Sequence, residues 1–546
     1  NIRSIGSISH AVCCLPRCIA GVAMAERKCP MTCGQLFQTC RRYPKCLFAL
    51  LTLAASSLVF YGGFELGKYV EKRDYLAHPP KPQQQYATNV NFGGWLTVED
   101  WMFAGPLGEE VSQGSGKGVC LPPVVQGPLD EPYPSEGIFV QRLIEQHDKE
   151  YAIKVFEQHR QTFITNTDLD DCVSLGIKTV RVPFMWMAFA DALKPIDDVY
   201  GGFDPDSDSA IVPDPYYPKE VSYVTIPRNF LAEFLRNCSS RGLKVILDLH
   251  AYPSGAAEGT YNGILPLKSV FWWKNSKIGN TSVKLRDAGT WIVEKFIRWV
   301  EGLDAKTRLG VQGISIMNEP GNQLMHELDS KLMLDWLANA GDLFRNSYLP
   351  SRGVKFYVNL IQGSIQNFFE VTPHWWVTTF SETERNLWAV FDMHNYLAWR
   401  VDCKGHHADV NEDGYSCSAP IEFIEAKIRN CLEPFFQQLT DDYPGLKSSG
   451  EFSLGTDSVV GYSCTEPAVL KVFMAQQVDL CRKYNFEPFF WNWKMPYSPK
   501  FEPGWSYQSY VGLAPKPPFP CHPAKNKTSD AAARIDSSNA KIRMIS

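Results

Sequence analysis

The stretch "GVQGISIMNEPGN", residues 310–322, decides the fold. Its apolar run, Ile314-Ser315-Ile316-Met317, stops at Asn318-Glu319-Pro320. A run of that length, cut off by polar groups and a proline, reads as a buried strand that ends where an amide and a carboxylate begin. Similar runs recur along the chain. Strands are expected at 89–96, 177–182, 244–249, 313–317, 355–361, 388–393, 450–454 and 488–493. Between them lie "RNFLAEFLRNCSSRG" (228–242), "AGTWIVEKFIRWVEGL" (288–303) and "EPAVLKVFMAQQVDLCRKY" (466–484), apolar at helical spacing. Eight strands alternating with helices imply parallel pairing and right-handed crossovers. The expected fold class is α/β, a (β/α)8 TIM barrel with long loop insertions at 104–150, 192–225 and 400–420. A doubly wound sheet is the alternative, but no glycine-rich phosphate loop follows the first strand.

Composition narrows the partners. Of 546 residues 45% are apolar and 21% charged, as in an ordinary globular protein. The net charge of -5 and the interleaving of Lys and Arg with acids leave no basic footprint, so no nucleic-acid partner is expected. The 15 Trp suit either a large core or the flat apolar faces of sugars.

Residues 46–63, "CLFALLTLAASSLVFYGG", carry no charge, with Arg41, Arg42 and Lys45 before them and Glu65 and Lys68 after. They read as a transmembrane signal anchor with a cytoplasmic amino side, or as a signal peptide cut near 54–57. Segment 1–45 is then cytoplasmic, or untranslated in part, with Met24 or Met31 as the start. Residues 64–86 form a polar, Pro/Gln-rich linker, 87–521 the catalytic domain and 522–546 a disordered tail. Either reading of 46–63 sends the domain into the secretory pathway, to the cell surface or outside. Sequons at Asn237, Asn280 and Asn526 accord with that route. Nine cysteines follow the apolar segment, and Cys403 with Cys417, which bracket one polar loop, are the expected local bridge. "DVNEDG" (409–414) matches half a calcium loop, but Pro420 stands at the twelfth position, so a polar surface loop is expected and no metal.

In such a barrel, functional groups stand at the carboxyl ends of strands. Those ends present Glu99, Arg181, His250, Asn318 with Glu319, His394, Tyr396, Glu451 and Trp491. One strand-end His or Glu is unremarkable, since most are structural or solvated. Here nearly every strand delivers a polar group or Trp to one rim, and two carboxylates, Glu319 and Glu451, come from facing strands. Paired carboxylates with Arg, His and Tyr, and without metal-ligand spacing, point to glycoside hydrolysis with no cofactor. One carboxyl must carry a proton to the leaving oxygen, which calls for a raised pKa. The other must stay ionised beside a cation and donors such as Arg181 and Tyr396.

The elements "KTVRVPFMWMAF", "VILDLHAYPSG", "GISIMNEP", "DMHNY", "GEFSLGTD" and "FFWNWK" together resemble glycoside hydrolase family five. "NVNFGGWLTVEDWMF", "TFITNTDLDDCVSLGIKTVRVP" and "PFFWNWKMPYSPKFEPGWSYQSYVGLAP" resemble its fungal-type exo-β-1,3-glucanases. The resemblance spans about residues 87 to 520. It implies Glu319 as acid/base and Glu451 as nucleophile, in a retaining reaction with carboxyl groups about 5 Å apart. It implies Asn318 on the sugar 2-hydroxyl, with Arg181, His250, His394 and Tyr396 around it and Trp491 under the ring. Glu99 and Asn262 would hold the terminal sugar, and Trp399 would stand at the substrate entrance. Phe452 follows Glu451 where relatives carry Trp, and "HAYPSG" lacks the usual Gly after the His. The implied partner is a β-glucan polysaccharide or oligosaccharide, with membrane attachment through 46–63 and a monomeric state. Rival readings are another β-glucan endo-hydrolase, a glucosyl-lipid hydrolase, a transglycosylase, or a carbohydrate-binding protein without catalysis.

Overall fold

The computed structural model describes residues 88–99, 102, 135–325, 327–400, 403–407, 414–458, 462–495 and 502–513. The apolar segment 46–63, the linker, residues 409–413, Cys120, Cys521 and the tail lie outside the described residues. Among those described, no helix is long and apolar enough to cross a membrane.

Eight strands close a barrel. In chain order they are β1 (Asn89–Asn91), β2 (Thr179–Met185), β3 (Lys244–Ala251), β4 (Val311–Ser315), β5 (Lys355–Asn359), β6 (Ala389–His394), β7 (Leu446–Phe452) and β8 (Phe486–Phe490). Every neighbouring pair is parallel, and β1 pairs with both β2 and β8 to close the ring. Helices Arg228–Ser240, Leu285–Gly302 and Pro467–Lys483 match the three helical patterns within a few residues.

The register explains why the strands look uniformly apolar. Side chains two apart on a strand share a face. Val180, Val182, Val245, Leu247, Leu249, Phe356, Val358, Phe391 and Met393 join the main core between sheet and helices. The other parity points inward. Ile246, Tyr357, Val390 and Phe489 form a small apolar layer of their own. At the amino end of the barrel, Gln312 Nε2 donates to Tyr357 Oη at 2.7 Å and Glu487 at 2.9 Å, and Thr179 Oγ1 donates to Gln312 at 2.6 Å. Two residues further along the same inward rows stand Arg181, Asp248, Asn359 and Asp392, and beyond them His250 and His394. Parity alone therefore carries a charged layer to the carboxyl rim.

Three expectations are corrected. The first strand is short: β1 ends at Asn91, the chain turns over Gly93 and Gly94 (φ +73°), and only Leu96 bridges again to Phe184. A Cβ on Gly93 would lie 2.7 Å from the Trp491 ring, so the turn is built around that side chain. Next, β7 and β8 begin earlier than their apolar cores, at Leu446 and Phe486. Their opening residues include Lys447, Ser448, Ser449 and Glu487, polar groups that hide a strand from a hydrophobicity pattern. Finally, Cys403 pairs with Cys431 and Cys417 with Cys464, in place of the expected Cys403–Cys417 bridge. Gly405–His406 and Tyr415–Ser416 pair in parallel, Gly405 opposite Tyr415, so Cys403 precedes one end of the ladder and Cys417 follows the other. Cys172, Cys238 and Cys481 are free and buried.

Candidate active site

Arg181 organises the rim from β2. It is 1% exposed. Its Nη1 donates to Glu451 Oε1 at 2.5 Å and to Asn91 Oδ1 at 3.0 Å; its Nη2 donates to Asn318 Oδ1 at 2.8 Å and lies 2.9 Å from Asp248 Oδ2. Burial works against its charge, but Asp248, Glu451 and Asp392 outweigh that and hold the guanidinium firmly protonated. Asp248 in turn is bonded to His250 Nδ1 at 2.6 Å. Burial raises its pKa, yet Arg181 and His250 bring it below the usual carboxylate range.

Glu451, on β7, also accepts from the Tyr396 hydroxyl at 2.6 Å. Just before it, a Cβ on Gly450 would fall 2.5 Å from the Asp392 carboxylate. The missing side chain lets β6 and β7 bring two acids close together. Asp392 is held by Ser448 and Asn359.

Glu319 lies in the turn after β4, with φ +41°. A non-glycine residue there carries roughly 1–2 kcal/mol of strain. The Asn359 side chain anchors it by accepting the Glu319 N–H at 2.7 Å. His394 Nδ1 sits between the acids, 2.8 Å from Glu319 Oε1 and 3.4 Å from Glu451 Oε2. The two carboxylates approach within 4.8 Å through their oxygens. Burial pushes His394 down, but the charge of Glu451, with Asp392 and Glu319 beside it, raises its pKa to about 10. Burial pushes Glu319 up, but hydrogen bonding and charge from His394, with Tyr261 and Asn322, bring it below its ordinary value. The raised pKa expected for one carboxyl is therefore not found at Glu319, because His394, Tyr261 and Asn322 all act on it as donors.

The remaining expected residues divide. Trp491 is buried and stacks parallel to His250, with centroids 6.0 Å apart. Trp399 is 43% exposed and meets Tyr396 and Trp505 edge-on at 5.4 and 6.1 Å, an aromatic lip on the rim. Glu99 is buried and accepts from Thr260 Oγ1 at 3.2 Å. Asn262 does not join the cluster. Its Nδ2 donates to Ala257 O and Ser269 Oγ, and its Oδ1 accepts from Ile264 and Leu265 N–H, so the amide is consumed by its own loop. Asn91, Asp248, Tyr261, Asn322, Asn359 and Asp392 belong to the site and were not singled out. Asp248 and Asp392 had a signal in inward parity, two residues before His250 and His394. Asn322 and Tyr261 had none, since two loops bring them in.

The trio Glu319, His394 and Glu451 offers three ligand-type atoms. His394 Nδ1 pairs with Glu319 and lies 3.4 Å from Glu451, and Arg181 pairs with Glu451, so the cluster is organised as an ion-pair network. The other such group, His407, Cys417 and Glu466, has its sulfur in a disulfide.

Behind Glu99, the Val98 N–H donates to buried Glu136 Oε2 at 2.7 Å. Burial raises Glu136 to about 7, against the Val98 bond and the Arg160 charge, and lowers nearby His159 to about 4. Folded Glu136 keeps a proton that the unfolded chain loses above the ordinary value of 4.5, so its stabilising contribution is complete below that pH and fades toward pH 7. His159 acts oppositely: neutral in the fold and protonated in the unfolded chain below 6.5, it costs stability as pH falls toward 4. Relative to wild type, Glu136→Gln is expected to gain roughly 2 kcal/mol of unfolding free energy between pH 5 and 7. Urea unfolding at both pH values checks this, and parallel pH slopes for the two proteins would refute it.

A parallel eight-stranded barrel whose carboxyl rim holds two facing carboxylates, an arginine, two histidines and a tryptophan defines a class: a (β/α)8 barrel with a paired-carboxylate site at its rim. No family model matches the chain. Among curated proteins it is similar to "Glucan 1,3-beta-glucosidase D" of Emericella nidulans, 22% identical over 457 residues, covering 76% of this chain and 48% of that protein. It is also similar to the "Glucan 1,3-beta-glucosidase" of Candida oleophila, 26% identical over 358 residues, covering 64% and 65%. Against three long D-type relatives the match spans only 25%, 48% and 30% of their length. Among solved structures, rutinosidase from Aspergillus niger shares the fold, with a TM-score of 0.51 at 14% identity over 78% of this chain and 97% of that one. These likenesses, at 22% and 26% identity to the two relatives, accord with the motifs that resemble glycoside hydrolase family five.

Proposed function

We propose that the protein is a retaining β-glucoside hydrolase that releases glucose from β-1,3-glucan by double displacement. One observation carries this reading: oxygens of Glu319 and Glu451 lie within 4.8 Å of one another, the close spacing of a nucleophile and its acid/base rather than the gap that an inverting pair leaves for water. Glu451 is the nucleophile, paired with Arg181 and accepting from Tyr396. Glu319 protonates the leaving oxygen, then takes a proton from the attacking water. Asn318 contacts the 2-hydroxyl, Trp491 and His250 bound the sugar, and Trp399 meets the leaving part at the lip. The names of the curated relatives support the β-1,3 linkage. Two disulfides and the exposed sequon at Asn280 support an exported protein, and the uncharged run 46–63 supports anchoring or cleavage on that route.

Laminarin, cellulose, mannan and an aryl β-glucoside, assayed with the products followed by proton NMR, test the proposal. Laminarin and the aryl glucoside are expected to be turned over, with β-glucose as the first product. No turnover of any β-glucan or aryl β-glucoside would overturn the assignment. α-Glucose appearing first would overturn the retaining mechanism.

A further inference from the structure

The loops after β3 and β4 are laced together: Glu258 N–H donates to Asn322 O at 3.0 Å, and Gly321 N–H to Ala256 O at 2.8 Å. The lacing brings two polar side chains against the far edge of Glu319. Asn322 Nδ2 donates to Glu319 Oε2 at 2.7 Å and to the Tyr261 hydroxyl at 3.1 Å. Asn322 thus ties that hydroxyl to the Glu319 carboxylate in a triangle, and Tyr261 is among the groups that favour the charged form of Glu319. The backbone is bent to make it, with Glu319, Gly321 and Gln323 all at positive φ (+41°, +71°, +64°). The Asn322 amide nitrogen can only donate, so the triangle suits a carboxylate and not a carboxylic acid at Oε2.

We propose that Asn322 and Tyr261 are positioning residues that hold Glu319 as an anion and so set the pH range over which it can donate its proton. The inference rests on Glu319 being the acid/base. In the first step the proton passes from the Glu319 carboxyl to the glycosidic oxygen as the C1–O bond breaks and Glu451 bonds C1. In the second, water attacks C1, its proton returns to Glu319, and the Glu451 ester breaks. Donors on Oε2 favour the second step and deplete the acid needed for the first.

The other charged or titratable groups facing Glu319 are His394, which donates to Oε1, Glu451 across the cleft with Arg181 and Tyr396 upon it, and Asp392 behind His394. With the Oε2 donors gone, repulsion from Glu451 is less opposed, and Glu319 keeps its proton to higher pH.

The experiment is kcat/KM against pH for Tyr261→Phe and Asn322→Ala in the full chain. It uses laminarin, which needs the acid, and a 2,4-dinitrophenyl β-glucoside, whose leaving group does not. The alkaline limb on laminarin is expected to move up by about one pH unit in each variant, a gain of about tenfold beyond the wild-type limb. The dinitrophenyl profile should stay in place. A laminarin limb that does not move in either variant overturns the proposal, as does an equal shift on both substrates. Glu319→Ala with added azide separates the two readings. Azide-accelerated turnover of the dinitrophenyl substrate upholds the acid/base role whatever Tyr261 and Asn322 do. No azide effect overturns that role and this proposal together.

Discussion

Glu451→Gln is expected to lower kcat/KM on aryl β-glucosides and laminarin by about 10⁴-fold or more, because no other group can bond C1 in its place. The surroundings of Glu451 are built for an anion. Its two oxygens accept from Arg181 at 2.5 Å and Tyr396 at 2.6 Å, and an amide at that position must turn its NH2 toward one of these donors. The variant therefore loses the nucleophile and the charge that Arg181 pairs with, and Tyr396 must turn from donor to acceptor to face the amide NH2, which costs roughly 1–3 kcal/mol in a buried site. Melting temperature should fall modestly while activity falls steeply. Glu451→Ala supplies the sharper reading. Azide entering the vacated space would attack C1 once, from the nucleophile's side, and leave an α-glucosyl azide. Residual activity of the Gln variant near the wild-type level, or a β-configured azide product from the Ala variant, would remove Glu451 from the nucleophile's role.

Arg181→Met is the substitution expected to harm the fold most. The guanidinium is 1% exposed and shared by Glu451, Asp248, Asn91 and Asn318. Methionine fills much of the volume but strands buried carboxylates without their cation, a loss of about 3–5 kcal/mol. The loss has a defined pH dependence. Asp248 is held below its ordinary pKa by Arg181 and His250 against its burial, so its part of the stability is present above the ordinary carboxylate range and fades as pH falls through its depressed folded value. Removing Arg181 raises that folded value, and the stability gap between variant and wild type should narrow in acid. Arg181→Lys restores charge but not the two-armed geometry, and should recover part of the stability and little of the activity. A loss under about 1 kcal/mol at neutral pH would refute the view that this residue holds the rim together.

Strand order, the parallel barrel and both carboxylates were legible because each depends on local pattern. A strand buried on both faces shows as an apolar run, and the residue that ends it shows as a polar break. Glu319 in "ISIMNEP" is such a break, whereas Glu451 lies inside β7 after Lys447, Ser448 and Ser449 and was legible from the motif "GEFSLG". The same logic misjudged β1, where "NVNFGGW" continues apolar through a turn that Gly93 and Gly94 make possible. Resemblance carried Asn262 into the sugar site, but the hydrogen bonds of its own loop use up its amide.

The sequence by itself determined which side chains reach the rim. With period-two alternation and strands ended by polar residues, Arg181, His250, Asn318, Glu319, His394 and Glu451 had to project at the carboxyl end once the barrel closed. Only the tertiary structure decided what they do to one another. The bridging of both acids by His394, the shared grip of Arg181, the Tyr261–Asn322 triangle on Glu319 and the Cys403–Cys431 and Cys417–Cys464 pairings each join distant parts of the chain. Hydrogen bonds, charge coupling and disulfides depend on distances of a few ångströms in space, and separation along the chain does not encode those distances.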